Sequence, residues 1–155
     1  MTVPEQEEMA TAFVTASRAL IGLAVRSIVD APVEVTVAQH RVLVLLAAQG
    51  DLTIGDVAVG LGVNPSSATR YCDRLQRLGL VGRTPSVEDR RVVRVALTAS
   101  GAARVQAVTA RRRAEVEKVL DRMTVPDTRA VLEALHAFNR AADELEERDW
   151  PTSGW

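Results

Sequence analysis

The chain has 155 residues, of which 47% are hydrophobic and 25% charged, and its single cysteine excludes an intrachain disulfide. The longest wholly apolar run, Val42 to Ala48, is far shorter than the ~20 residues of a membrane-spanning helix, and the acidic N-terminus lacks a signal-peptide pattern. We therefore expect a cytoplasmic protein with no membrane span. The net charge of −1 is uneven, because residues 64–113 hold eleven Arg against three acids. Such clustering favours a polyanionic partner.

Helical periodicity and its punctuation predict six helices and one β-hairpin. The first helix runs from about residue 5 to residue 28 along one apolar stripe. A second helix, to about residue 48, begins at a capping box of Thr36 and Gln39. This helix is apolar on nearly every side, so we expect it to be the most buried. Thr53 and Asp56 form a similar box that opens a short third helix.

The second half of the chain begins with a helix that is well marked at its start. Asn64 is its predicted N-cap, Pro65 occupies the first helical position, and Gly79 ends it. Two β-rich runs, 80–84 and 92–97, joined by a charged loop, predict a hairpin. Two further helices follow, from 98 to about 123 and from about 127 to 148. The predicted fold class is mostly α with a small β-hairpin wing.

The order helix, helix, tight turn, helix, hairpin is that of a winged helix-turn-helix. In such a unit the second helix of the motif enters the major groove of double-stranded DNA. Its predicted exposed face offers small hydroxyls and two cations: Ser66, Ser67, Thr69, Arg70 and Arg74. The hairpin tip places Arg90 and Arg91 beside Asp89, and Arg suits the narrow minor groove. Either feature alone fits an ordinary charged surface, whereas the two in succession favour DNA binding.

The residues of this region resemble a known family. The segment Asp89 to Thr98 is similar to the D-x-R-x-x-x-L-x-L-T signature of the MarR family, with Val95 where the family usually has Leu. The segment Asn64 to Arg70 resembles the family's recognition helix. Thr36 to His40 is similar to its "L-T-x-x-Q-F" opening, with His40 in place of the aromatic residue. The resemblance covers about residues 5–147.

The resemblance implies a homodimer with three parts in each chain. Residues 33–98 would form the DNA-binding winged helix, and residues 5–30 and 99–148 would interlock with a second copy. The family likeness also implies that Asp89 positions Arg91, which reaches the minor groove. Many members release DNA when a small aromatic or phenolic ligand binds between the DNA-binding region and the dimerisation helices. We therefore predict a ligand-responsive repressor of a palindromic operator.

Several side chains allow two interpretations. His40 could line a ligand pocket or form hydrogen bonds within the core. Cys72 could be redox-active, although its helical phase favours a structural role in the core. Arg111, Arg112 and Arg113 could contact the DNA backbone, but a solvated or ion-paired role is favoured. Trp150 and Trp155 receive no role.

Other classes of function find little support in the sequence. Two histidines and one cysteine without ligand spacing predict no metal site. The sequence has no phosphate-loop motif and no nucleophile motif, so we expect no cofactor and no enzymatic activity. The alternatives to DNA binding are a protein–protein adaptor of winged-helix shape and a small-molecule binder with weak DNA affinity.

Overall fold

The computed structural model describes residues 2–29, 34–86, 89, 91–124, 127–144 and 150. Within these ranges the chain forms six helices and one three-stranded antiparallel sheet: α1 (Val3–Val29), α2 (Val37–Gln49), β1 (Leu52–Thr53), α3 (Ile54–Leu61), α4 (Pro65–Arg77), β2 (Val81–Pro85), β3 (Val93–Leu97), α5 (Ala99–Leu120) and α6 (Thr128–Ala141). The predicted fold class is confirmed. Arg90, residues 145–148 of the predicted last helix and Trp155 lie outside the described residues.

Local capping chemistry sets the starts of the helices, as predicted. The Thr36 hydroxyl accepts from the Gln39 backbone N–H at 3.2 Å, and the Gln39 side chain accepts from the Thr36 N–H at 3.0 Å. Thr53 and Asp56 form the same reciprocal pair at α3. Because each box satisfies two otherwise unpaired N–H groups, these boundaries follow from the sequence.

The sheet is larger than the predicted hairpin. β1, which the sequence analysis missed, pairs with β3 through Leu52 opposite Val95, and β3 also pairs with β2. β2 starts at residue 81 rather than 80, since the Leu80 N–H donates to the Leu75 carbonyl in the turn that ends α4. β3 starts at residue 93, because the Val92 N–H closes the hairpin turn on the Asp89 carbonyl.

The last two helices are shorter than predicted. α5 ends at Leu120 instead of residue 123. After it, the Arg122 and Met123 N–H groups donate to the Val119 and Leu120 carbonyls in tighter turns that do not continue the helix. α6 ends at Ala141 instead of residue 148, because Asp143 takes a positive φ of 53° and the Glu144 N–H donates to the Asn139 carbonyl at 3.0 Å. A left-handed residue of this kind terminates a helix.

Helix α2 lies at the centre of the core. Its Val42, Leu43 and Leu46 are fully buried and pack in one cluster with Leu75 of α4 and Val95 of β3. The expectation that this helix is the most buried is confirmed. Because the same cluster holds α2, α4 and the sheet, the position of α4 depends on that of α2.

Helices α1 and α6 bury little of their apolar surface within one chain. Leu20 of α1 is 54% exposed, and none of the described residues of α6 is buried. Phe13 and Phe138 stack with ring centroids 4.4 Å apart. By length and composition alone α1 could also cross a bilayer, which is weak evidence for a membrane span, because core helices of soluble proteins and signal sequences meet the same criteria.

Candidate nucleic-acid interface

A tight turn joins α3 and α4 and fixes their relative direction. Gly62 ends α3 in the left-handed conformation, with φ 63° and ψ 35°, and its N–H donates to the carbonyls of the last turn of α3. Asn64 then caps α4, because its side-chain oxygen accepts from the Ser67 N–H at 2.8 Å. Pro65 follows at the first helical position, where a missing N–H costs nothing. This geometry is that of a helix-turn-helix unit.

Helix α4 has one buried face and one polar face. Ala68, Cys72 and Leu75 are fully buried against the core. On the other face Ser66, Arg70 and Arg74 are exposed, while Ser67 and Thr69 are half-buried. All five predicted residues of this helix therefore reach the polar side, with Ser67 and Thr69 at its borders.

Hydrogen bonds already orient several of these polar side chains. The Ser66 hydroxyl donates to the Asn64 side chain at 2.7 Å, and the Thr69 hydroxyl donates to the Pro65 carbonyl at 2.9 Å. Arg70 Nη2 donates to Ser67 Oγ at 3.2 Å, which directs the guanidinium toward the N-terminal end of the helix. The hydroxyl oxygens keep free lone pairs, so they can accept hydrogen bonds from base amino groups.

The turn between β2 and β3 presents Arg91 at the surface. Asp89 Oδ1 accepts from the Arg91 backbone N–H at 2.9 Å, and the Asp89 carbonyl accepts from the Val92 N–H at 2.9 Å. Arg91 itself is exposed. The described contact between Asp89 and Arg91 thus runs through the main chain, and Asp89 shapes the turn that holds Arg91.

Two arginines of the basic segment belong to ion pairs within the protein. Arg83 on β2 lies 2.6 Å from Asp73 of α4. Arg94 on β3 donates to the Asp51 carbonyl at 3.0 Å, with the Asp51 carboxylate 3.9 Å away. Asp73 is already one of the three acids counted in residues 64–113, so only the pairing of Arg94 with Asp51, which lies outside this segment, lowers the net charge that the segment offers to a polyanion.

His40 lies 3% exposed on α2 and lines a cavity of about 300 Å³. The cavity lies between helices α1, α2 and α5 and the residues after α6, and its lining comprises Ala24, Ile28, Val37, His40, Arg41, Val44, Thr109, Arg112, Glu144 and Trp150. His40 Nδ1 is buried and has no hydrogen-bond partner in the described part of the chain. Burial, reinforced by Arg112 and Arg104, lowers the pKa of His40 to about 4, so the ring is neutral at neutral pH.

Among the residues that line this cavity, only His40 was predicted from the sequence, and Arg112 and Trp150 are two of those that were not. Arg112 is half-buried, and its Nε donates to the Ser27 hydroxyl of α1 at 3.4 Å. Trp150 also packs against the core cluster. No local signal could have found either residue, because both reach the cavity through tertiary packing.

Cys72 is fully buried, and burial raises the pKa of its thiol. A buried thiol with a raised pKa reacts slowly, because the thiolate is the reactive form. These properties support the structural interpretation over the redox one.

The α3–turn–α4 unit, packed beside a small antiparallel sheet with an arginine at its tip, defines a winged helix-turn-helix protein. Comparison with known proteins then narrows the class. A model of the MarR family matches residues 34–92. The transcriptional repressor MdtR of Bacillus subtilis is 34% identical over 112 residues, which cover 72% of this chain and 70% of MdtR.

Two further relatives agree. The multiple antibiotic resistance protein MarR of Salmonella typhimurium is 32% identical over 104 residues, which cover 67% of this chain and 72% of that protein. The crystal structure of RV1404 from Mycobacterium tuberculosis superposes with a TM-score of 0.84 at 34% identity and covers 90% of this chain and 95% of that one. The chain belongs to the MarR family and is a DNA-binding transcriptional regulator rather than an enzyme.

Proposed function

We propose that this protein is a cytoplasmic homodimeric repressor that binds a palindromic operator and leaves it when a small aromatic or phenolic ligand binds. The observation that carries the DNA-binding part is the exposed polar face of α4, held by the Asn64 cap, next to a wing that exposes Arg91. A major-groove helix and a minor-groove arginine together read more of a half-site than either alone.

On this proposal the two elements contact different grooves. Ser66, Ser67, Thr69 and Arg70 read base edges in the major groove, and Arg74 contacts phosphate. Arg91, with Arg90 beside it in sequence, enters the minor groove, and Asp89 supports Arg91 through the turn.

The test is selection of binding sites from a random double-stranded DNA pool at near-physiological salt, followed by affinity measurements on the recovered site. Arg91→Ala should weaken binding to nearly all sequences, whereas Arg70→Ala should change the preference at one base pair of each half-site. Arg122→Ala is the matched control, because Arg122 is exposed just after α5, at the opposite end of that helix from the one that follows β3. An equal loss of DNA affinity in all three variants would contradict specific contacts of Arg70 and Arg91 with DNA.

A second copy of the chain is proposed to cover the apolar surface of α1 and α6. Leu20 and Ile21 of α1 are 54% and 61% exposed, and Leu132 and Leu135 of α6 are 50% and 46% exposed. Large exposed apolar patches are uncommon on monomeric soluble proteins and mark interaction surfaces. Sedimentation equilibrium should give a dimer, and Leu135→Glu should shift it toward monomer. If the wild type is a monomer, the proposed palindromic operator is refuted as well, because its two half-sites are assigned to the two copies of a dimer.

The ligand part of the proposal rests on the His40 cavity. Its volume is at the lower end of the range for small-molecule sites. Trp150 supplies an aromatic face, Arg112 supplies a cationic side chain, and His40 Nδ1 has no partner among the described residues, whereas Arg41, which also lines the cavity, is ion-paired with Glu144. These groups suit a small aromatic ring that carries an acidic or phenolic oxygen.

Benzoate is the probe, and benzyl alcohol is its neutral counterpart. Benzoate should raise the melting temperature, since a ligand at 100 times its Kd adds about 2.7 kcal/mol to the unfolding free energy, and it should release the selected DNA. Arg112→Met should abolish the rise in melting temperature and the release of DNA by benzoate, and it should keep DNA binding. Arg113→Met, at an exposed neighbouring position, should keep the melting response, the release and the DNA binding. Benzoate binding without DNA release would refute the ligand response.

Two alternatives are separated by the same measurements. Failure to enrich any sequence, with an intact dimer, would favour a winged-helix adaptor for another protein. Benzoate binding in a protein that retains no DNA would favour a small-molecule binder with weak DNA affinity.

A further inference from the structure

An ion pair joins the recognition helix to the wing. Asp73 Oδ1 on α4 accepts from Arg83 Nη2 on β2 at 2.6 Å. The side chain of Arg83 is 28% exposed and that of Asp73 44% exposed. Arg83 Nε is buried and has no hydrogen-bond partner among the described residues. The Asp73 carboxylate is therefore the group that compensates this partly buried cation.

The place of Asp73 on α4 is unexpected for a helix that approaches DNA. Asp73 follows Ser66 by seven residues and Arg70 by three, so all three lie on one stripe of the helix. A carboxylate on that stripe repels phosphate unless a cation neutralises it. Arg83 supplies the cation from the sheet, although its own charge is then not available to the DNA.

The pair also connects two parts of the proposed interface. Arg83 lies opposite the fully buried Val95 in the ladder between β2 and β3. β3 in turn begins two residues after Arg91. A contact at Arg83 thus fixes the base of the same hairpin whose tip presents Arg91.

We infer that Asp73 and Arg83 are positioning residues that hold the wing at a fixed angle to α4, so that the recognition helix and Arg91 reach their two grooves together. The inference rests on the proposed function, because it assumes that Arg91 contacts DNA. It goes beyond that function by assigning a specificity role to two residues that contact each other instead of the operator.

The test measures how much Arg91 contributes to binding when the ion pair is present and when it is absent. The affinity for the selected operator is measured with and without Arg91→Ala in four backgrounds: wild type, Asp73→Ala, Arg83→Met and the double variant Asp73→Ala/Arg83→Met. Asp51→Ala is the matched control, because it removes the acid beside Arg94 on the neighbouring strand and leaves α4 untouched. Thermal unfolding of each variant confirms that it folds.

In the wild type, Arg91→Ala should weaken binding about 5- to 150-fold, which is the value of one good groove contact. In the Asp73→Ala background that loss should fall to about twofold or less, since the wing no longer reaches its groove. The double variant should bind no worse than Asp73→Ala. In the Asp51→Ala background the Arg91 loss should stay at its wild-type size. A role in stability alone would leave the Arg91 loss unchanged.

Three results would overturn the inference. The first is an Arg91 loss of wild-type size in the Asp73→Ala background. The second is tighter binding by Asp73→Ala with the Arg91 loss retained, which would make Arg83 a neutralising cation only. The third is absence of selective DNA binding by the wild type, which refutes the proposed function itself and is therefore distinguishable from the other two. Asp73→Asn, which keeps an acceptor oxygen and loses the charge, replaces Asp73→Ala if that variant fails to fold.

Discussion

The burial of His40 predicts a pH dependence of stability. The side chain is 3% exposed, and burial, followed by the charges of Arg112 and Arg104, lowers its pKa from 6.5 to about 4. Between these two values the unfolded chain binds a proton at His40 and the folded chain does not. The contribution of His40 to the free energy of unfolding is therefore fully present above pH 6.5 and decreases as the pH falls through this window.

The size of the effect follows from the two pKa values. At pH 5 the unfolded histidine is almost fully protonated, whereas the folded one is mostly neutral. The His40 contribution relative to pH 7 is then a loss of about 2 kcal/mol, since each pKa unit corresponds to about 1.4 kcal/mol. A loss of this size is a sizeable part of the stability of an ordinary domain.

Urea unfolding at pH 7 and pH 5 measures this loss in the wild type and in His40→Leu. Both proteins carry the same carboxylates, so the difference between their two losses isolates His40. One fixed protein concentration is needed, because dissociation of a dimer would contribute to the measured stability. At pH 7 His40→Leu should be neutral or slightly stabilising, since it removes an unpartnered buried nitrogen. Equal losses in the two proteins would refute the assignment of a neutral, buried His40.

Three further experiments test the local structure. Gly101→Ala should destabilise the protein by roughly 2–3 kcal/mol, because a Cβ there would overlap the Leu80 carbonyl oxygen, whereas Gly82→Ala, which meets nothing within 4 Å, should leave the chemical-denaturation midpoint nearly unchanged. Asn64→Ala should cost about 1 kcal/mol in the same assay through loss of the N-cap, and normal stability would contradict the cap. Cys72 should react with a thiol reagent only as fast as the protein unfolds, and rapid labelling of the native state would contradict its burial.

The parts of the fold that depend on local chemistry were predictable from the sequence. The boxes at Thr36 and Thr53 and the cap at Asn64 involve side chains within three residues of the N–H groups they satisfy. The central place of α2 was also predictable, because a helix that is buried on all sides requires apolar residues on all sides, and its apolar run supplies them.

The missed features depend on contacts between residues distant in sequence. β1 has two residues and exists only because Val95 and Arg94 lie opposite it. Arg112 and Trp150 reach the His40 cavity from separate parts of the chain. The pairing of Arg83 with Asp73 spans a helix end and a turn, so composition alone counted both as free charges.

A ligand response of the proposed kind requires that the cavity and the DNA-binding surface share an element that differs between two states. Helix α2 meets the structural requirement, because His40 lines the cavity while Leu43 and Leu46 pack in the cluster that holds Leu75 of α4. A close-packed core transmits displacement instead of absorbing it. On the proposed function, we expect a shift of α2 to displace α4, and the Asp73–Arg83 pair would pass that movement to the wing. The fold thus provides one continuous set of contacts from the cavity to both proposed DNA-contacting elements.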